Sequence, residues 1–278
     1  MHQQWARRFW NANWRIYPCK LAEPEPEPGS GEGDDAAIRD AAEKFAQFVE
    51  AAYGRVVEIA RTTDPGLYSP DQHEVLSGLA ARACRIASAV AGSPVMWSGE
   101  HVASPARTLL ESHIMMKWLV QHSDPAIFVK FKEYGRGKLK LTKLHYEEHL
   151  DSMDDPPKGL AKFVEALEQR VNEDVGEEFQ TINVGKAFGK DLRRMAQEVG
   201  MEQQYRLLYQ PHSDISHGEW TSLDAYALTR CANPVHRWHR LPRPTLDAWI
   251  GTQALSPIAS LLDDIVETYS EAMSQSLG

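Results

Sequence analysis

Ser104-Pro105-Ala106-Arg107-Thr108-Leu109-Leu110-Glu111-Ser112-His113-Ile114-Met115-Met116-Lys117-Trp118-Leu119 is the stretch whose reading decides the fold. Serine followed by proline is a helix start, because proline in the first turn gives up no helical hydrogen bond and holds φ near the helical value. Beyond it, Leu109, Leu110, Ile114, Met115, Trp118 and Leu119 spread apolar side chains over most of the circumference. That predicts a central helix surrounded by others. The same three- and four-residue steps recur on either side. Upstream they link Ile38, Ala41, Phe45, Phe48, Val49, Ala52, Val56 and Ile59, until Thr63-Asp64-Pro65-Gly66 stops the run. Ser69-Pro70-Asp71-Gln72 restarts a small-residue helix that ends near Gly92. Downstream, Asp124-Pro125 opens a helix carrying Phe128, Phe131 and Tyr134, which Gly135 and Gly137 are expected to weaken or bend. Amphipathic helices are expected from Gly159 to about Val175 and from Val184 to about Val199, with Gly200 as a terminator. A last helix from about Thr245 carries Trp249, Leu255, Ile258, Leu261, Leu262, Ile265 and Val266, with a kink expected at Pro257. Neither strand alternation nor an Asn-Gly hairpin signal stands out. The expectation is an all-α, multi-helix bundle.

The N-terminal segment differs from this body. Trp5, Phe9 and Trp14 recur at helical spacing in residues 1–20, with Trp10 beside them. They predict a tethered aromatic helix that docks on the body, a second subunit or another protein. Residues 21–36 alternate proline with glutamate and then turn to glycine and serine, the composition of a linker. The helical domain is then 37–278.

Composition narrows the function classes. The chain of 278 residues is 42% hydrophobic and 25% charged, with a net charge of −9. A general nucleic-acid coat is disfavoured, since phosphate binding needs clustered positive charge. No apolar run reaches the roughly 18 residues of a membrane helix, and no signal-peptide core is visible, so no membrane partner and a cytoplasmic location are expected. The three cysteines, Cys19, Cys84 and Cys231, show no zinc spacing and are expected to be unpaired reduced thiols.

The densest run of reactive side chains is Tyr205 to Glu219. Tyr209, Ser213 and His217 stand four apart and share a helical face; His212 and Ser216 form a second such pair. Pro211 kinks or restarts the helix, and Gly218 ends it. A second feature is the pair Arg107 and Glu111, four apart on an otherwise apolar helix. It reads either as an ion pair fixing helix register or as a site in which Arg107 holds an anion and Glu111 orients a histidine. A metal reading of His145, Glu148 and His149, joined by Glu111, His113, His212 or His217, lacks the paired Glu-x-x-His repeats of di-iron bundles. No metal and no cofactor are expected.

Arg107 and Glu111 on one helix, followed about a hundred residues later by Tyr209, Ser213, His217 and Gly218, resemble a bacterial all-helical domain family of unknown function, over roughly residues 40 to 270. More loosely, Arg206 and His212, with five residues between them, are similar to the signature of HEPN-type helical domains, although Pro211 and Leu207 depart from it. Many of those domains are metal-independent ribonucleases of toxin and antiviral systems. That resemblance implies a homodimer and an RNA substrate, with His217 or His212 as base, Arg107 or Arg206 on the phosphate, and Tyr209, Ser213 and Glu111 as orienting groups. Arg237, Trp238 and Arg240 lie in a basic-aromatic loop suited either to RNA contact or to packing across an acidic face of this chain or of a second subunit. The competing expectation is a non-catalytic interaction module, in which the polar cluster fixes helix packing and the aromatic arm binds a partner.

Overall fold

The computed structural model describes residues 2–13, 19–20, 34–64, 70–122, 124–182, 185–233, 236, 239–244 and 250–275. The architecture is all-α, as the periodicity predicts, apart from one short hairpin. The helices are α1 (His2–Asn13), α2 (Asp34–Thr62), α3 (Pro70–Ala91), α4 (Ala103–His122), α5 (Pro125–Asp151), α6 (Lys158–Val171), α7 (Leu192–Glu198), α8 (Glu202–Gln204), α9 (Gln210–Ser216), α10 (Trp220–Ser222) and α11 (Leu255–Gln275). Strands β1 (Leu228–Arg230) and β2 (Arg240–Pro242) pair antiparallel, with Thr229 opposite Leu241. This pair was not anticipated: each strand has three residues, too short for an alternation to register.

The chain divides into two compact units, and α2, α3, α4 and α11 each contribute residues to both. One unit comprises Met1–Gly54, Ala83–Glu111 and Gln203–Asp264. Its buried side chains include Phe45 and Val49 from α2, Cys84 and Ala87 from α3, Leu109 and Leu110 from α4, and Ile258 and Leu262 from α11. Trp97 is fully buried among the residues of this unit; its indole donates to the Val90 carbonyl at 2.7 Å, and its own carbonyl accepts from Gly251 at 2.9 Å. The rest of the central helix behaves likewise in the other unit, where Ile114, Met116, Trp118 and Leu119 are buried, with Met116 rather than Met115 facing inward.

That second unit comprises Arg55–Arg82, Ser112–Glu202 and Ile265–Gly278. Phe128, Val164, Leu167 and Tyr269 are buried there, and the Tyr269 hydroxyl meets Ser77 Oγ at 2.9 Å. Helix α5 starts at Pro125 with Asp124 as N-cap, as expected, but runs unbroken through Gly135 and Gly137. Gly137 serves close packing instead: a Cβ there would collide with the Thr181 carbonyl. Buried Lys143, lower on α5, is paired with Glu147 at 3.0 Å and Glu177 at 2.7 Å. The helix expected over 184–199 is only α7, because Asp191 caps the Arg194 amide and begins the helix late. Helix α11 likewise starts at Leu255, so Pro257 sits in its first turn, where it kinks nothing. Residues 245–249 of that expected helix, residues 21–33 of the expected linker, and Trp14 lie outside the described residues, while the linker's last three residues, 34–36, form the start of α2. No helix among the described residues is long and apolar enough to cross a membrane.

Candidate functional site

The Tyr205–Glu219 segment is one helical stretch with a local irregularity. Over Tyr205–Tyr209 the turns widen to the π type, and the Gln210 amide reaches back five residues to the Tyr205 carbonyl. Pro211 accounts for this: its ring crowds the carbonyl four residues back and it supplies no N–H. The widened turn relieves that conflict without breaking the helix. Tyr205 and Tyr209 consequently stack, with ring centroids 4.7 Å apart.

The C-terminal end is equally specific. The Gly218 amide bonds the Ile215 carbonyl at 3.2 Å, and the Glu219 amide bonds the Asp214 carbonyl at 3.0 Å. This is a Schellman closure with Gly218 at φ +66°, a backbone that costs glycine nothing. It makes His217 the C-cap of α9 and leaves it exposed.

Arg107 of α4 is the hub. Its Nε pairs with Glu111 Oε1 at 3.2 Å, one terminal nitrogen lies 3.2 Å from His217 Nε2, and the other donates to the Tyr209 hydroxyl at 3.1 Å. The guanidinium also sits over the Tyr209 ring, 4.9 Å from its centroid. Burial works against the Arg107 charge, but the Tyr209 hydrogen bond and the Glu111 carboxylate outweigh it and push its titration up. Tyr209 is also raised, first by burial and then by Glu111, with Arg107 opposing. A guanidinium can only donate, so its contact selects the neutral His217 ring with Nε2 as acceptor. Three of the five guanidinium N–H groups are used here, leaving two for an incoming anion.

The structure therefore brings Arg107, Glu111, Tyr209 and His217 together. Ser213 is half-buried on α9, and its carbonyl accepts the His217 amide at 2.9 Å. His212 is half-buried, and burial lowers its titration against a contact with the Leu208 carbonyl. Arg206 is exposed. Arg240 is committed within its own unit: it forms a forked pair with the Asp224 carboxylate and lies over the Trp220 ring at 5.3 Å. Arg237 and Trp238 lie outside the described residues.

A second cluster escaped the sequence reading. Cys19, Cys231, His236 and His239 converge, each offering one atom, with all four atoms within 4.8 Å of one another. Cys19 and Cys231 are unpaired, as expected, but the fold makes them neighbours, which their spacing did not suggest; Cys84 stands apart, buried on α3 with its thiol pushed up to about 11. The signal was Cys231-x4-His236-x2-His239, completed by a cysteine more than two hundred residues away. The metal grouping weighed on α5 does not assemble. His145 and His149 are exposed, and His113 is buried against Thr268.

Residues 73–232 match a family profile described as a family of unknown function, DUF5677. The chain belongs to that family. The match fits the bacterial all-helical family that the Arg107–Glu111 and Tyr209–His217 motifs resemble, and it contains all six of those motif positions. Of the second cluster, the DUF5677 match includes Cys231 alone. No curated protein and no solved structure gives a significant match.

Proposed function

We propose that this DUF5677 chain is a HEPN-like, metal-independent ribonuclease effector of a toxin or antiphage system. The observation that carries the reading is the convergence of Glu111, Tyr209 and exposed His217 on Arg107. RNA cleavage without metal needs a base for the 2′-hydroxyl and a fixed cation for the phosphorane. A phosphodiester reaching Arg107 would use its two remaining N–H groups and compete with His217 for the guanidinium. Nε2 of His217 is then released to take the 2′ proton. The 2′-oxygen bonds to phosphorus, the bond to the 5′-oxygen breaks, and that oxygen leaves as a hydroxyl with a proton from solvent. The products are a 2′,3′-cyclic phosphate and a 5′-hydroxyl end. Tyr209 and Glu111 hold the arginine fork, and Ser213 supports the turn that presents His217. His212, half-buried, is the weaker base for an exposed substrate, and Arg206 is the additional cation on the same helical stretch.

The test is cleavage of single-stranded RNA by the full chain, with no added divalent metal. Cleavage that ends in cyclic phosphate, and is lost in His217→Ala with an unchanged melting temperature, supports the reading. No cleavage by wild type, or cleavage unaffected in His217→Ala, rejects it. The interaction-module reading is favoured by one observation. Trp5 and Phe9 of α1 stack at 5.3 Å yet remain 60% and 41% exposed. A Trp5→Ala/Phe9→Ala variant that turns a dimer into a monomer in light scattering would support that role for the arm.

A further inference from the structure

We propose that Cys19, Cys231, His236 and His239 form a structural zinc site. The sulfur–nitrogen distances fit a tetrahedral ion. Cys19 Sγ lies 3.5 Å from His236 Nδ1 and 3.7 Å from His239 Nε2, and Cys231 Sγ lies 3.5 Å from His236 Nδ1. Zinc bonds of about 2.3 Å to sulfur and about 2.0–2.1 Å to nitrogen, at tetrahedral angles, place each sulfur–nitrogen edge at about 3.5–3.6 Å. Two of the edges given by the structure, at 3.5 Å, match that value, and the third, at 3.7 Å, is slightly longer. Two thiolates and two neutral imidazoles are also a borderline-soft set that suits zinc and closes its coordination, which makes the site structural rather than catalytic.

Charge and burial agree with this assignment. Cys231 and His236 are fully buried. Two thiolates cancel a divalent ion, so the filled site carries no net charge into the interior. The surrounding backbone is arranged as an outer shell. The Asn233 amide points at Cys231 Sγ at 3.5 Å, the kind of N–H contact that supports a thiolate ligand. The Cys231 amide bonds the His239 carbonyl at 2.8 Å and the His239 amide bonds the His236 carbonyl at 3.1 Å, so the loop closes on itself and holds three ligands in place. The fourth comes from the N-terminal segment. The Ala232 amide bonds the Lys20 carbonyl at 2.8 Å, which lays Cys19 and Lys20 along the loop.

The zinc would therefore staple the segment following α1 to the loop between β1 and β2. This loop leads directly into Arg240, whose pairing with Asp224 anchors β2 on the far side. The site shares no residue with the Arg107 cluster, and its fate is independent of the ribonuclease reading.

The test is elemental analysis of the purified full chain, with Co²⁺ substitution as a second readout. About one zinc per chain is expected, with the visible spectrum of a tetrahedral, thiolate-bound Co²⁺ on exchange. Cys19→Ser, whose side chain is exposed and opens no core, and His239→Ala should reduce zinc to background. His145→Ala, on exposed α5 surface, should retain it. Background zinc in wild type purified from zinc-supplemented medium would overturn the proposal. So would zinc unchanged in both ligand variants, iron or nickel at those ligands in its place, an octahedral Co²⁺ spectrum, or a Cys19–Cys231 disulfide on non-reducing alkylation. Cys231→Ser removes a fully buried group and can lower stability by itself, so the decision rests on Cys19→Ser and the spectrum.

Discussion

Arg107 holds three different partners with one planar group, and that is what lysine cannot do. Its fork reaches Glu111, Tyr209 and His217 from a single position on α4, while an ammonium is a point charge that satisfies no such fixed geometry. On the ribonuclease reading, Arg107→Lys should lower RNA cleavage by about 100-fold, the scale of losing one transition-state donor. The melting temperature should change little, because Arg107 and Glu111 are only part-buried and such pairs contribute about 1 kcal/mol or less. If the cluster is instead a packing brace, the order reverses, and melting falls while RNA cleavage is absent throughout. Paired rate and melting measurements on this one variant separate the two. A second contrast lies between the histidines. His217→Gln should abolish cleavage, whereas His212→Gln, on the half-buried side of α9, should retain most of it and show instead a loss of stability in a urea titration.

Helix ends and turns set where these groups stand, and they mark how far the sequence could be read. Gly218 is the clearest case. Glycine after a polar helical run predicts a C-terminus, and the structure places it at φ +66° in a Schellman closure. Gly218→Ala should cost about 1–2 kcal/mol, the penalty of a left-handed non-glycine residue. It should also displace His217 from Arg107, which a shift in the His217 ring resonances would report. Gly137 shows the opposite. Read along the chain, it looks like a helix weakener; in three dimensions it makes room for the Thr181 carbonyl, a residue with no sequence relation to it. Gly137→Ala should therefore destabilise, although alanine favours helices, and a melting temperature that rose would contradict that account. Long apolar periodicities such as Leu109 to Leu119 were legible because burial repeats with the helix. The late start of α7, the first-turn position of Pro257 and the three-residue strands were not, because single caps and tertiary contacts decide them. The Arg107–His217 cluster was legible as two local motifs. The Cys19 cluster was not, since its fourth ligand is supplied by chain topology rather than spacing.

For the molecule as a whole, one buried histidine links stability to pH. His113 on α4 is nearly inaccessible, its Nε2 lies 3.2 Å from Thr268 Oγ1, and burial, with a smaller contribution from Lys117, pushes its titration down from 6.5 to about 4. In the folded chain it is neutral at pH 5, whereas in the unfolded chain it is mostly protonated there. The unfolded state binds more protons through this window, so stability must fall as pH falls. The contribution is fully present above about pH 6.5 and is lost progressively toward pH 4. Between pH 7 and pH 5 the loss should be about 2 kcal/mol from this group alone. Carboxylates with lowered titration, such as exposed Asp174 and half-buried Asp224, act in a more acidic window and do not mask it. The variant that isolates the effect is His113→Gln, which keeps a polar group beside Thr268 and cannot titrate. Urea unfolding of wild type should weaken markedly from pH 7 to pH 5, and that of His113→Gln should weaken less by about the same 2 kcal/mol. Equal pH slopes for the two proteins would mean that the His113 ring takes up its proton in the folded chain, and that its burial is looser than the packing around Thr268 implies.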